Sequence, residues 1–344
     1  MRLAGLSLVL LGCTTDSVAG STVLTGATVV GVGITDVRIE DGRITAVGAG
    51  LTADAVVDVS GQFIVPSVID AHVHLAYWDV ADDLPAGGLA AVVDLASPMA
   101  FLDVDTTLPM VRSGPMVTAE GGYPTRSWGA NGYGLEVSSI AQAQQAVDTL
   151  IANGAGVIKA PITSGLSHQT EVLLAIVERA HTANILVVSH AVDQSEAAIA
   201  AAAGVDVLAH TPITTLGDAI SDWSDRAVIS SLAAFGNSPT TRDNLLALHQ
   251  AGATVLYGTD MGNQRVAGVN VRELQAMRDA GLTNAEVLTA ATSAPAMLFG
   301  FNDHGTIEAG KVASLLVLDD DPLLDVTALA RPSQIWFNGQ LVTH

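Results

Sequence analysis

Between residue 66 and residue 258 the chain keeps repeating one unit, a short apolar run of β-type residues followed by a stretch with helical patterning. The runs fall at 68–71, 90–95, 115–119, 156–159, 185–189, 205–209, 227–231 and 253–258. Each intervening helix returns the chain to the starting edge, so successive strands run parallel and the fold class is α/β. Eight such units over roughly 240 residues match the size of a (β/α)8 TIM barrel. A doubly wound open sheet is built from the same units and is the competing architecture. Its nucleotide loop is poorly represented, because "GVGIT" at 31–35 lacks a third glycine and a following helix.

The helices carry their own punctuation. Asp193 with Glu196, and Thr283 with Glu286, read as capping boxes, and Val172, Leu173, Ile176, Val177 and Ala180 fall on one helical face. The two ends of the chain read differently. Asp41-Gly42 predicts a hairpin over residues 37–47, and Asn338-Gly339 predicts another near the C-terminus.

Of the residues, 49% are hydrophobic and 14% charged, which is ample for a large core. The net charge of −21 repels phosphate backbones and anionic lipid surfaces, so nucleic acid is excluded as a partner. The first twelve residues, "MRLAGLSLVLLG", have the layout of a signal peptide, and "LLGC" is similar to a bacterial lipobox with Cys13 as the lipidated residue. Cys13 is the one cysteine, which rules out an intramolecular disulfide and a thiolate metal cage. The expectation is an exported lipoprotein of the bacterial cell envelope, attached to the membrane only through its lipid anchor. An ordinary cleaved leader, or a misassigned start, is the plainer alternative.

Chemistry gathers at the ends of the apolar runs. In "VIDAHVHL", His72 and His74 stand two apart, so along a strand their side chains share a side and can face one ion. Lys159 in "GVIKAP", His190 in "VVSHA", His210 in "VLAHTP" and Asp260 in "LYGTDM" also follow apolar runs. In a barrel all six converge on the C-terminal mouth. Singly, each histidine has a buried structural reading and Asp260 a turn or capping reading; their joint placement is what points to a metal centre. Ser189 beside His190 is not a nucleophile elbow, since no GxSxG surrounds it.

"IDAHVHL", "VIKAP", "SHA", "AHTP" and "GTD", in this order and spacing, resemble the amidohydrolase superfamily, in particular its imidazolonepropionase- and prolidase-like branch. That resemblance implies two divalent metal ions, zinc before manganese, cobalt or iron. His72, His74 and Asp260 would hold one and His190 and His210 the other, with Lys159 bridging them as a carbamate formed with carbon dioxide. It implies amide hydrolysis by a metal-bridged hydroxide, with Asp260 moving the proton. It also implies a small β-sandwich from residues 21–65 and 305–344 beside a barrel over 66–304. A lactonase, esterase or phosphotriesterase on the same centre, a deaminase, and an inactive envelope binding protein are the alternatives.

The substrate is expected to be small: a dipeptide, an N-acyl amino acid or a cyclic amide. Tyr123, Arg126 and Trp128 in "EGGYPTRSWGANGYG", and Arg265 beyond Asp260, are the candidate substrate contacts. The connection at 231–241 is short for this branch and predicts a pocket lacking one wall. Whether the chain forms a homo-oligomer is left open by the sequence.

Overall fold

The computed structural model describes residues 20–342. The expected leader at 1–12 and Cys13 lie outside the described residues. The N-terminal part forms β1 (Thr22–Val29), β2 (Gly33–Glu40), β3 (Arg43–Gly48), β4 (Ala55–Asp58) and β5 (Phe63–Pro66). Then come β6 (Val68–Val73), β7 (Leu89–Asp94), β8 (Met110–Arg112), β9 (Met116–Ala119), β10 (Gly134–Val137) and α1 (Ile140–Ala152). Strand and helix alternate next, save that a 3-10 segment (Gly217–Trp223) separates β13 from β14: β11 (Val157–Lys159), α2 (Thr170–Thr182), β12 (Leu186–Ser189), α3 (Gln194–Ala202), β13 (Val207–Leu208), β14 (Ala227–Ile229), α4 (Pro239–Gln250) and β15 (Thr254–Leu256). The chain continues through α5 (Val271–Asp279), α6 (Asn284–Ala291) and α7 (Ser293–Phe299) to β16 (Leu315–Leu318), β17 (Gln334–Phe337) and β18 (Gln340–Val342).

The two ends of the chain share one eight-stranded sheet, ordered β18-β17-β16-β5-β1-β2-β3 with β4 also on β1. Both hairpins are where the turn residues place them. Asp41 and Gly42 have φ of 49° and 77°, Asn338 and Gly339 have 49° and 78°, and such paired left-handed positions suit Asp, Asn and Gly. Leu24, Val37, Ile44, Ile64, Leu315 and Trp336 give this sheet a core of its own.

Every pairing in the middle of the chain is parallel: β6-β7-β8, β9-β10, and β11-β12-β13-β14-β15. Single backbone contacts link the edges. Gly156 N donates to the Arg112 carbonyl (3.0 Å), Ala71 N donates to the Tyr257 carbonyl (3.0 Å), and Val73 bridges Met261. Neighbouring residues along the strands enter different apolar clusters, as Val157 and Ile158, Val188 and Val187, and Val207 and Leu208 do. Both faces of these strands are therefore buried, as parallel strands under helices require.

The third strand expected from the sequence needs correction. The partner of β7 is β8 at 110–112, while the run at 115–119 forms β9 and pairs with β10 across the intervening segment 120–133. Gly114, with φ of 66°, interrupts what would otherwise be one strand. Both expected capping boxes form, at Asp193–Glu196 and Thr283–Glu286. Val172, Leu173, Ile176, Val177 and Ala180 are buried on α2 as their spacing predicts.

Candidate metal centre

All six residues read as ligands lie at the C-terminal ends of parallel strands. His72 is in β6 and His74 follows it, Lys159 ends β11, His190 follows β12, and His210 and Asp260 lie just past β13 and β15. His72 Nε2 is 3.2 Å from His74 Nε2, and Asp260 Oδ1 is 3.0 Å from His74 Nε2 and 3.6 Å from His72 Nε2. These three side chains form the one group among the described residues whose donor atoms are spaced to surround an ion. The His72 ring stacks on His210 (4.5 Å between centroids), and His190 meets His210 edge-on (5.0 Å). The four imidazoles thus make one continuous row.

Backbone geometry aims these groups. Gly258 passes so close to His72 that a Cβ there would lie 3.1 Å from the His72 Cβ and 2.3 Å from Ile229. Asp260 itself has φ of 55°, a left-handed conformation that Asp tolerates better than most residues. Asn263 Nδ2 donates to both Asp260 oxygens, at 3.1 and 3.2 Å.

Burial dominates the electrostatics. It holds His72 and His210 well below the ordinary imidazole range and takes His190 to about 3, with the nearby Lys159 charge adding to each. These three imidazoles are neutral at pH 7, as ligation demands. Burial also lowers the Lys159 ammonium to about 7, so much of this lysine is a free amine at neutral pH. Burial alone would raise Asp260, but the hydrogen bonds it receives from His74 and Asn263 hold it at about 2.

The residues present fit divalent cations. His72 Nδ1 lies 2.8 Å from the Ala209 carbonyl; a carbonyl only accepts, so Nδ1 carries the hydrogen and Nε2 offers its lone pair to the centre. His74 Nδ1 and His210 Nδ1 are buried without a hydrogen-bond partner among the described residues. A donor set of imidazoles with one ionised carboxylate matches zinc and related ions.

Sequence reasoning missed the supports. Asp70, fully buried, accepts from His72 N (3.0 Å), Thr259 N (3.1 Å) and Thr259 Oγ1 (2.5 Å), so it clamps the histidine strand to the residue before Asp260. Its place two residues before His72, on the same side of an extended chain, was the available signal. Glu273 accepts from Leu232 N (2.9 Å) and Ala233 N (2.7 Å), gripping the connection after β14 from α5. No local pattern announces that contact.

Aromatic rings cover the row. Tyr123 stacks on His190 (4.7 Å, 25°), Trp128 lies on His74 (5.1 Å), and Phe235 lies on His210 (4.4 Å). Three of the chain's four tyrosines (Tyr77, Tyr123, Tyr133) and two of its four tryptophans (Trp78, Trp128) stand here, so the mouth is built for planar or apolar groups. Phe235 comes from the short connection at 231–241, so the wall expected to be missing is partly supplied by that connection. Arg265 lies over the Tyr77 and Trp78 rings (5.5 and 5.2 Å), at the outer layer of this wall, and Arg126 is exposed. The structure brings Tyr123 and Trp128 onto the histidines and leaves both arginines outside.

A parallel-stranded α/β protein with a histidine–carboxylate centre at its strand ends is the class that fold and site define. The chain belongs to the amidohydrolase family, whose sequence profile matches residues 111–342. A dihydroorotase of Lactobacillus helveticus is 42% identical over 60 residues, a match taking in 16% of this chain and 14% of that protein. Among solved structures, a Xaa-Pro dipeptidase with bound methionine superposes with a TM-score of 0.80 at 18% identity, covering 94% of this chain and 100% of that one. A prolidase complexed with N-methylphosphonate-L-proline superposes with a TM-score of 0.77 at 22% identity, covering 94% of this chain and 100% of that one.

Proposed function

We propose that this protein is a metal-dependent hydrolase of amide-type C–N bonds in small substrates, with dipeptides, N-acyl amino acids and cyclic amides as the class to try. The observation that carries this reading is the spacing of His72, His74 and Asp260 around one point, with His210 and His190 continuing the same row. His72, His74 and Asp260 would hold one divalent ion and His190 and His210 a second, zinc in the first instance. Lys159, buried and in good part a free amine at neutral pH, would bridge them as its carbamate. The metal pair, when bound, supplies a Lewis acid for the carbonyl and lowers the pKa of water.

The chain's own residues do the rest. Asp260, ionised at neutral pH, accepts the proton of the attacking water at a carboxylate oxygen and returns it to the leaving nitrogen. Asn263 and Asp70 keep that carboxylate aimed. The rings of Tyr123, Trp128 and Phe235 exclude water and seat the substrate's apolar part. Arg265, and Arg126 beyond it, are the cations available to a substrate carboxylate at the rim.

The same reading includes the architecture. Residues 66–304 would be a closed (β/α)8 barrel, supported by the bonds from Gly156 to Arg112 and from Ala71 to Tyr257 that link the parallel sheets edge to edge. Residues 21–65 and 305–344 would form a β-sandwich folded over their separate core. Export by the 1–12 leader, lipidation at Cys13 and a place in the bacterial envelope belong to it too. Among the described residues no helix is long and apolar enough to cross a membrane.

Elemental mass spectrometry on leaderless protein purified without chelators, beside Lys159→Ala, tests the reading. About two transition-metal ions per chain, falling in the variant, together with turnover of an N-acyl amino acid or dipeptide, are expected. Metal-supplemented parent holding no metal would sink it.

A further inference from the structure

We propose that Tyr123 is a catalytic residue of this site, its phenolic O–H donating a hydrogen bond to the oxygen of the scissile carbonyl, and that Trp128 is the positioning residue that holds it there. The assignment rests on the amide-hydrolase reading and deepens it.

A phenolic hydroxyl has one hydrogen to give and lone pairs to accept with, whereas an indole N–H only donates. Trp128 Nε1 donates to Tyr123 Oη at 2.8 Å, so in this pair the tyrosine is the acceptor and its own hydrogen is left to give to another group. Among the described residues the hydroxyl makes no other hydrogen bond. The pair also stands in the right place. Tyr123 stacks on His190 while Trp128 lies on His74, so the two rings joined by the N–H···O bond reach both ends of the imidazole row. Trp128 is itself packed edgewise by Tyr77 (5.6 Å) and Tyr133 (5.2 Å), which stops the indole from swinging away. The cationic alternatives, Arg126 and Arg265, are exposed, with Arg265 spread over the outer rings.

In acyl transfer the carbonyl oxygen gains negative charge as water adds, and a donor already fixed at that point stabilises the transition state more than the ground state. Tyr123 transfers no proton in this role. Its hydrogen bond shortens as the carbonyl π bond opens and relaxes when the C–N bond breaks. A neutral donor suits a site that already collects cations, because it adds no repelling charge beside them.

Tyr123→Phe keeps the ring on His190 and removes only the hydroxyl. In the full chain loaded with zinc, kcat on the best amide should fall about 10²-fold while KM changes by less than about threefold. Trp128→Phe should also lower kcat, and the double variant should be no slower than Tyr123→Phe alone, since Trp128 acts through the hydroxyl. A merely structural tryptophan would instead cost the same in both backgrounds.

Calorimetric binding of N-methylphosphonate derivatives of L-proline and L-phenylalanine supplies a readout free of turnover. Tyr123→Phe should bind them at least about tenfold more weakly than the parent and bind the free amino acids equally well. An active parent whose Tyr123→Phe variant keeps kcat within threefold and binds phosphonate equally would overturn the assignment and leave the hydrolase reading intact. A parent that cleaves no amide yet binds phosphonate, with the loss in Tyr123→Phe, would keep the donor and end the amide reading. Neither turnover nor phosphonate binding in the zinc-loaded parent would remove both.

Discussion

Both ends of the imidazole row carry a ring, Trp128 at His74 and Tyr123 at His190, but they differ in their polar contacts. At one end His72, His74 and Asp260 sit in a polar lattice, with the Ala209 carbonyl on His72, Asn263 on Asp260, and Asp70 joining the backbone of His72 to Thr259. At the other end His190 and His210 are held by rings, Tyr123 on the first and Phe235 on the second. The polar end is arranged by directional bonds before any ligand arrives, whereas the aromatic end is held by packing, which tolerates small shifts. Preorganisation and adaptability are thus divided within one site, the first at the carboxylate proposed to move a proton and the second at the rings proposed to seat the substrate.

The largest disturbance should come from Asp70→Ala. It strands two buried N–H groups and one hydroxyl at about 1–3 kcal/mol each, so chemical denaturation should report a loss of about 3 kcal/mol or more. A loss below 1 kcal/mol would mean that the polar lattice does not hold this end. Next comes a matched pair in metal-stripped protein. His72→Leu takes the 2.8 Å bond from the Ala209 carbonyl, leaving it only the longer one from Ser231 Oγ at 3.5 Å, and should lower stability by about 1–3 kcal/mol. His210→Leu removes an imidazole whose Nδ1 already lacks a partner, and should be neutral within about 1 kcal/mol or stabilising. Equal losses in thermal unfolding would erase the contrast.

The most gradual effect concerns pH. Burial raises Glu273, which grips the connection bearing Phe235, to about 7. The folded protein therefore binds its proton more tightly than the unfolded chain does. That contribution is fully present below about pH 4.5 and is lost as pH rises through about 7, with a slope of at most about 1.4 kcal/mol per pH unit. Glu273→Gln should flatten the fall in thermal midpoint over that window, and an unchanged slope would free Glu273 of the role.

What the sequence discloses follows the same division. The two hairpins are legible because Asp41-Gly42 and Asn338-Gly339 encode their turns locally. The six ligand candidates are legible because each ends an apolar run, and parallel strands bring their C-terminal ends to one side. Short pairings are not. β8 and β10 are three and four residues long, and only tertiary contact separates them from loop. Phe235 and Glu273 were invisible for a related reason, since a ring or carboxylate acquires meaning from a partner far along the chain. Asp70 lies between these cases, adjacent to a motif yet acting on Thr259.

That last bond joins residues 189 positions apart. Closing so long a segment costs entropy before any contact compensates, so nonlocal pairings of this kind form late and slowly. The histidine strand, made early during synthesis, must wait for the Thr259–Asp260 loop before its donors have anything to converge on. Metal capture should accordingly trail collapse in a refolding experiment, with bound metal serving as a clock for the last step rather than the seed of the first.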